Sequence, residues 1–230
     1  MNYIQLLKEL SVNSAHPGGL RLTKKLIENE EISNDDIVLE VGCGIGSSAS
    51  LLYGLTSCHL TVIDQDKEMI QKAQARFRQL KEPIMAIHSS VESLPFSNQT
   101  FDFILAESVL AFASNEAIRE CFRVLKNGGR LLLHEMTLTD SLTNNEYRRL
   151  QQFYGFKQFN QKHEWTDILL NAGFVQIEEV KLGPIEEDDS SFLITDEIDQ
   201  ETWECLNEHI QLLKEFKHRM VSSVFRCWKE

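Results

Sequence analysis

The segment VLEVGCGIGSS, Val38 to Ser48, passes from an apolar run broken only by Glu40 into glycines at alternate positions, Gly42, Gly44 and Gly46. A short apolar run ended by glycine reads as a buried strand, and the helical pattern in SASLLYGL that follows makes the unit strand, tight turn, helix. Such a turn puts bare backbone at the carboxyl end of a strand, the edge on which open α/β sheets bind their ligands. A dinucleotide-binding turn has a third glycine three residues after the second, so that the helix can pack close to the strand. Ser47 stands there in this chain. The turn therefore lacks the fingerprint of a pyrophosphate cradle, which disfavours a nicotinamide oxidoreductase.

The same alternation continues downstream. HLTVID, IMAIHSS, FDFILAES and GGRLLLHEM read as short strands, and KEMIQKAQARFRQL and NEAIRECFRVLK as amphipathic helices. Apolar strands alternating with helices predict an α/β fold: a Rossmann-like, doubly wound, mostly parallel sheet with helices on both faces and right-handed crossovers. The terminal VSSVFRCW predicts an antiparallel C-terminal edge strand. With 230 residues the chain has room for one domain. Residues 1–36 supply two short helices separated by SVNSAHPGG, 37–136 the ligand-binding core, 137–163 a cap over the strand ends, and 164–230 C-terminal helices and edge strands. In the last segment EEDDSS reads as a solvated acidic loop. Glu197 to Arg219 reads as a long helix with Trp203, Leu206, Ile210, Leu213 and Phe216 on one face.

Bulk chemistry narrows the function. A formal net charge of −12 makes association with nucleic-acid phosphate unfavourable. The five cysteines are odd in number and form no CxxC pair, which predicts free thiols in a reducing, cytoplasmic setting and neither a disulfide framework nor a metal site. No stretch approaches the ~20 apolar residues that span a bilayer, so no membrane partner is expected. The oligomeric state is left open between monomer and homodimer.

From about Ile37 to Leu182 the chain resembles the class I S-adenosylmethionine-dependent methyltransferases, most closely the small-molecule "type 11" branch. The resemblance is carried by VLEVGCGIGSS, VIDQDKEMIQKAQ, SLPFSNQTFDFILAESVL and RVLKNGGRLLL, in that order and spacing. It implies S-adenosyl-L-methionine as cofactor, held by Gly42, Gly44 and Gly46 with the acidic Glu40 before them. Asp64, at the end of the next strand, is expected to accept both ribose hydroxyls, with Gln65 beside it. Ser90 and Val91 fall where the adenine is recognised; the first of these positions is commonly Asp in the family, and here is Ser. Glu107 falls at the border between the transferable methyl and the acceptor, and serves as a cofactor, substrate and catalytic candidate.

By the strand-end rule His134 and Glu135 lie on the same ligand edge, His134 either as a base or as a histidine bonded within the fold, and Glu135 as a catalytic and substrate candidate whose carboxylate needs a partner, either a substrate cation or an internal donor. His16 in the HPGG turn is a further substrate-site candidate, though a rigid turn explains the motif equally well. The expected function is methyl transfer to a small-molecule acceptor. The alternative is a catalytically inactive regulatory or partner subunit that binds the cofactor.

Overall fold

The computed structural model describes residues 1–10, 12, 16–181 and 198–230; the acidic loop at 186–191 lies outside them. Among the described residues seven strands form one sheet: β1 (Ile37–Val41), β2 (His59–Asp64), β3 (Met85–His88), β4 (Phe101–Glu107), β5 (Leu125–Leu138), β6 (Gln176–Val180) and β7 (Met220–Trp228). Their order is β3-β2-β1-β4-β5-β7-β6. The first five run parallel, while β7 lies antiparallel to both β5 and β6. The C-terminal strand is antiparallel as expected, but it is not the edge: it pairs on both sides, with β6 outside it.

The helices are α1 (Tyr3–Glu9), α2 (Gly19–Glu28), α3 (Ser47–Thr56), α4 (Lys67–Leu80), α5 (Asn115–Val124), α6 (Asn144–Tyr154), α7 (Lys162–Ala172) and α8 (Gln200–Phe216). Local chemistry sets their ends. Asp66 caps α4 by accepting from the Glu68 and Met69 amides, Thr143 and Glu146 form a reciprocal capping box on α6, and Gly173 stops α7 in the left-handed conformation.

Alternation along the strands divides the apolar residues between two cores, because successive side chains point to opposite faces. Leu39, Val41, Ile104, Ala106, Leu131 and Leu133 pack with residues of α1, α5, α6, α7 and α8. Val38, Phe103, Leu105 and Leu132 pack with residues of α2, α3 and α4. The sheet is therefore covered on both faces, as the uninterrupted apolar strands require.

Helix α8 departs from the expected face. Leu206 and Phe216 are buried, but Trp203, Ile210 and Leu213 are exposed. The helix is turned so that Cys205, His209 and Leu212 face inward instead. His209 meets Tyr3 of α1 and Tyr154 of α6, with ring centroids 5.0 and 5.7 Å away. This polar-aromatic contact is invisible to a pattern that counts only apolar residues.

Candidate active site

One cavity of 860 Å³ opens at the carboxyl ends of β1, β2, β4 and β5. Volumes of a few hundred to about 1,000 Å³ are those of ligand sites, and this one has room for more than one small ligand. Its polar end is the glycine turn. A Cβ on Gly44 would meet nothing within 4 Å, and the residue has φ +53°, so the bare backbone here faces open space. Gly42 lines the same wall, and a Cβ there would run into Val109.

Gly46 departs from its expected role. It does not line the cavity; with φ +80° it caps α3, and its missing side chain makes room for Phe77 of α4, whose ring would lie 2.6 Å from an added Cβ. Two of the three glycines thus face the ligand space, and the third lets two helices approach.

Asp64 ends β2 with its carboxylate aimed at the turn. Oδ2 accepts from the Gly44 amide at 2.9 Å and Oδ1 from the Asp66 amide at 2.8 Å. Burial raises its pKa above the ordinary carboxylate range, opposed by these two amides. Gln65, Ser90 and Val91 line the cavity beside it, and Ser90 Oγ accepts from the Glu92 amide at 3.2 Å.

Glu40 is the group left in need. It is 4 % exposed, it lines the cavity, and its Oε2 has no hydrogen-bond partner. Burial, with Glu107 and Asp64 nearby, pushes its carboxyl well above the usual range. A buried polar atom without a partner costs on the order of 1–3 kcal/mol; a cationic, hydrogen-bond-donating ligand would relieve it. An amino acid sulfonium such as S-adenosylmethionine carries both properties, so the residues present fit that cofactor.

At the ends of β4 and β5, Glu107 and His134 face each other as register partners. His134 Nδ1 lies 3.4 Å from Glu107 Oε1, and His16 Nε2 lies 3.4 Å from Oε2. The Thr23 hydroxyl of α2 donates to the same carboxylate at 3.0 and 3.1 Å. Burial alone would raise the Glu107 carboxyl, but His16, His134 and Thr23 outweigh it and hold it below the usual range. His16 and Glu107 line the cavity, whereas His134 is fully buried behind Glu107 and does not.

Glu135, on the opposite face of β5, lines the cavity too. Its Oε1 accepts from the Val109 and Leu110 amides at 2.9 and 2.7 Å. Burial pushes its carboxyl up to about 8 against those hydrogen bonds. It thereby fixes the short 3-10 turn Leu110–Phe112. The preceding Ser108 sits at φ +53° and donates its amide to the His134 carbonyl at 2.7 Å. A non-glycine residue held in this region stores about 1–3 kcal/mol, as is common at functional sites.

The far end of the cavity is apolar and aromatic, lined by Tyr3, Phe112, Tyr154, Phe156, Leu213 and Met220. Helix α1 covers this end, where Tyr3 packs edge-on to Tyr154 at 4.9 Å, and further along the helix Lys8 pairs with Asp66, two residues from Asp64. Sequence spacing gave no role to α1, Thr23, Ser108 or Ser222: Ser108 sits inside a motif of the resemblance and Ser222 inside the terminal strand without being singled out, and α1 and Thr23 belong to no motif.

These features define a class of protein: a Rossmann-like sheet with a glycine turn facing open space, an acid on the next strand, and a second ligand compartment under a helical cover. Comparison with known proteins agrees. A family described as "Methyltransferase domain" matches residues 39–133. An "Uncharacterized methyltransferase YodH" of Bacillus subtilis is 33% identical over 234 residues, covering 99% of both chains. The chain belongs to the S-adenosylmethionine-dependent methyltransferases. Among solved structures, phosphoethanolamine N-methyltransferase 2 of Haemonchus contortus, in complex with S-adenosyl-L-methionine, superposes with a TM-score of 0.78 at 19% identity, over 94% of this chain and 54% of that one. The [4+2]-cyclase SpnF superposes with a TM-score of 0.74 at 19% identity, over 97% of this chain and 92% of that one. Among the described residues no helix is long and apolar enough to cross a membrane, and all five cysteines are unpaired and buried.

Proposed function

We propose that this methyltransferase acts on a small acceptor with an apolar body, seated in the aromatic end of the cavity. The observation that carries the reading is the continuity of one 860 Å³ space from Gly44 and Asp64, past Glu107, to Tyr154 and Phe156. The cofactor supplies an electrophilic methyl on sulfur, and the chain's residues do the rest. Asp64 holds the ribose hydroxyls, Gln65, Ser90 and Val91 border the adenosine, and Glu40 answers the positive charge of the methionine part. Glu107 holds the polar head of the acceptor and takes up its proton where it has one to lose, with His134 and Thr23 fixing the carboxylate and His16 closing it from the side. Glu135 anchors the turn that carries Val109. Holding two reactants in line in this way can supply roughly 7–11 kcal/mol of the barrier.

A second reading, a subunit that binds the cofactor without methyl transfer, has two supports. Ser90 stands where the family commonly has an acid, and one protein of the same fold, SpnF, is a [4+2]-cyclase. The fold alone does not decide between chemistries. Calorimetric titration with S-adenosylmethionine, followed by a methyl-labelling assay on fractionated metabolite extracts, separates them. The proposal expects tight binding and a labelled small product that disappears in Glu107→Gln. Binding with no labelled product in any fraction would establish the second reading.

A further inference from the structure

Helix α8 turns outward much of the apolar face that its sequence was expected to bury, and that face reaches the cavity. Leu213 of α8 and Ile4 of α1 both line the cavity, and each is 39 % exposed. By contrast Tyr3, Tyr154 and Phe156, which line the same end, are 7, 4 and 7 % exposed. A side chain that belongs both to a cavity wall and to the outer surface marks an opening. The aromatic end is therefore a passage that emerges between α1 and α8, and not a closed pocket.

Apolar surface continues outside the opening. Ile210, one turn before Leu213, and Trp203 are exposed on α8, and Met1 is exposed beside α1. The two helices are tied together: the Tyr3 ring lies 5.0 Å from that of His209, Thr202 Oγ1 donates to Met1 Sδ at 3.8 Å, and the terminal ammonium pairs with Glu201. Met1, Ile4, Trp203, Ile210 and Leu213 thus sit on one packed helix pair, and the α8 stripe runs about 15 Å along its axis. Five side chains exposed to this degree offer on the order of 400 Å², about half of what one partner contributes to a stable interface. A second copy of the chain is poorly matched to so small an area. A formal net charge of −12 opposes adhesion to an anionic lipid surface. A ligand that starts inside the cavity needs neither, because its own chain covers the stripe as it leaves.

We propose that the acceptor is an amphiphile, with a compact polar head beside Glu107 and one apolar chain that fills the aromatic end, passes between Ile4 and Leu213 and lies along the exposed face of α8. That the head takes the methyl group rests on the methyl-transfer reading; the path of the chain does not. Each methylene moved from water into the enclosed end should strengthen binding about fourfold, and each one laid on the half-exposed stripe about twofold. A closed pocket behaves differently. Once it is full, the next methylene overpacks it and affinity falls.

The test is calorimetric titration of the full chain with n-alkylamines of about 4 to 14 carbons, below their micelle concentrations, with and without S-adenosylhomocysteine. The proposal expects affinity to climb through the whole series, steeply at first and then by about twofold per methylene. The later gain should vanish in Leu213→Glu, which sets a charge in the passage. If Leu213→Glu fails to fold by circular dichroism, Ile210→Glu, outside the cavity lining, takes its place and should flatten the gain of the longest homologues. Affinity that drops beyond one length, no binding at any length, or a later gain unchanged in the variant overturns the proposal. So does a dimer in sedimentation velocity that Ile210→Glu dissociates, which would assign the stripe to a second copy. S-adenosylhomocysteine affinity from the same protein reports on the methyltransferase reading separately: its absence would remove that reading while the chain series still decides the passage.

Discussion

A Cβ placed on Gly44 projects into open cavity, while one on Gly46 falls 2.6 Å from the Phe77 ring. The two alanine variants should therefore fail differently. Gly44→Ala is expected to lose only about 1–2 kcal/mol of stability, from left-handed backbone strain, while binding S-adenosylmethionine at least tenfold more weakly. Gly46→Ala adds overpacking to the strain, for roughly 2–5 kcal/mol, with cofactor affinity little changed in the folded fraction. Urea unfolding and calorimetry on both variants check this. Glu40 gives a second prediction at this scale. Burial, with Glu107 and Asp64 nearby, pushes its carboxyl well above the usual range, so below that raised pKa a cationic ligand that ionises it expels a proton. Affinity for the sulfonium cofactor should then rise with pH, by up to tenfold per unit for one proton released, and rise less for the uncharged thioether product. Parallel pH profiles for the two ligands that coincide would refute it, as would a Glu40→Gln profile as steep as wild type.

Among the elements, β7 depends on a tie that crosses the chain. Glu30, just after α2, accepts from Arg130 Nε of β5 at 2.9 Å and from Arg226 Nε of β7 at 2.8 Å, and its side chain is 2 % exposed. Glu30→Ala leaves two guanidinium groups facing each other in a mostly buried place, so a loss of about 3–5 kcal/mol is expected, measured by denaturant unfolding; a change under 1 kcal/mol would show that the ion cluster contributes little. Helix α1 makes the other element-scale test. Removing residues 1–10 takes Tyr3 and Leu7 from the cavity wall, and should raise the cofactor dissociation rate at least tenfold in stopped flow while the sheet stays folded. An unchanged rate would mean that α1 is no part of the ligand enclosure. The strands were readable in advance because each is a short apolar run bounded by turn residues. The inward face of α8 was not, because His209 is buried against the Tyr3 and Tyr154 rings, a contact that apolar periodicity does not count.

Across the whole molecule, what could be read ahead was whatever the backbone dictates locally: the parallel sheet, the turn at Gly42 and Gly44, the acid at Asp64. What could not be read was side-chain convergence. His16, Glu107 and His134 could be suspected singly from strand ends and a turn, but their meeting depends on the β4–β5 register and on where the segment before α2 crosses the sheet. Thr23 and Ser222 carried no signal, since a hydroxyl inside an amphipathic pattern looks like any other polar position. Every functional statement rests on the cavity taking the cofactor at its polar end, with Asp64 on the sugar. Calorimetric titration of the wild-type chain and of Asp64→Asn with S-adenosylhomocysteine measures this directly. The account predicts one site per chain, with affinity at least tenfold weaker in the variant and unfolding stability within about 1 kcal/mol of wild type, as the loss of charge-assisted hydrogen bonds implies. No binding to the wild type, or equal affinity in both, would contradict it.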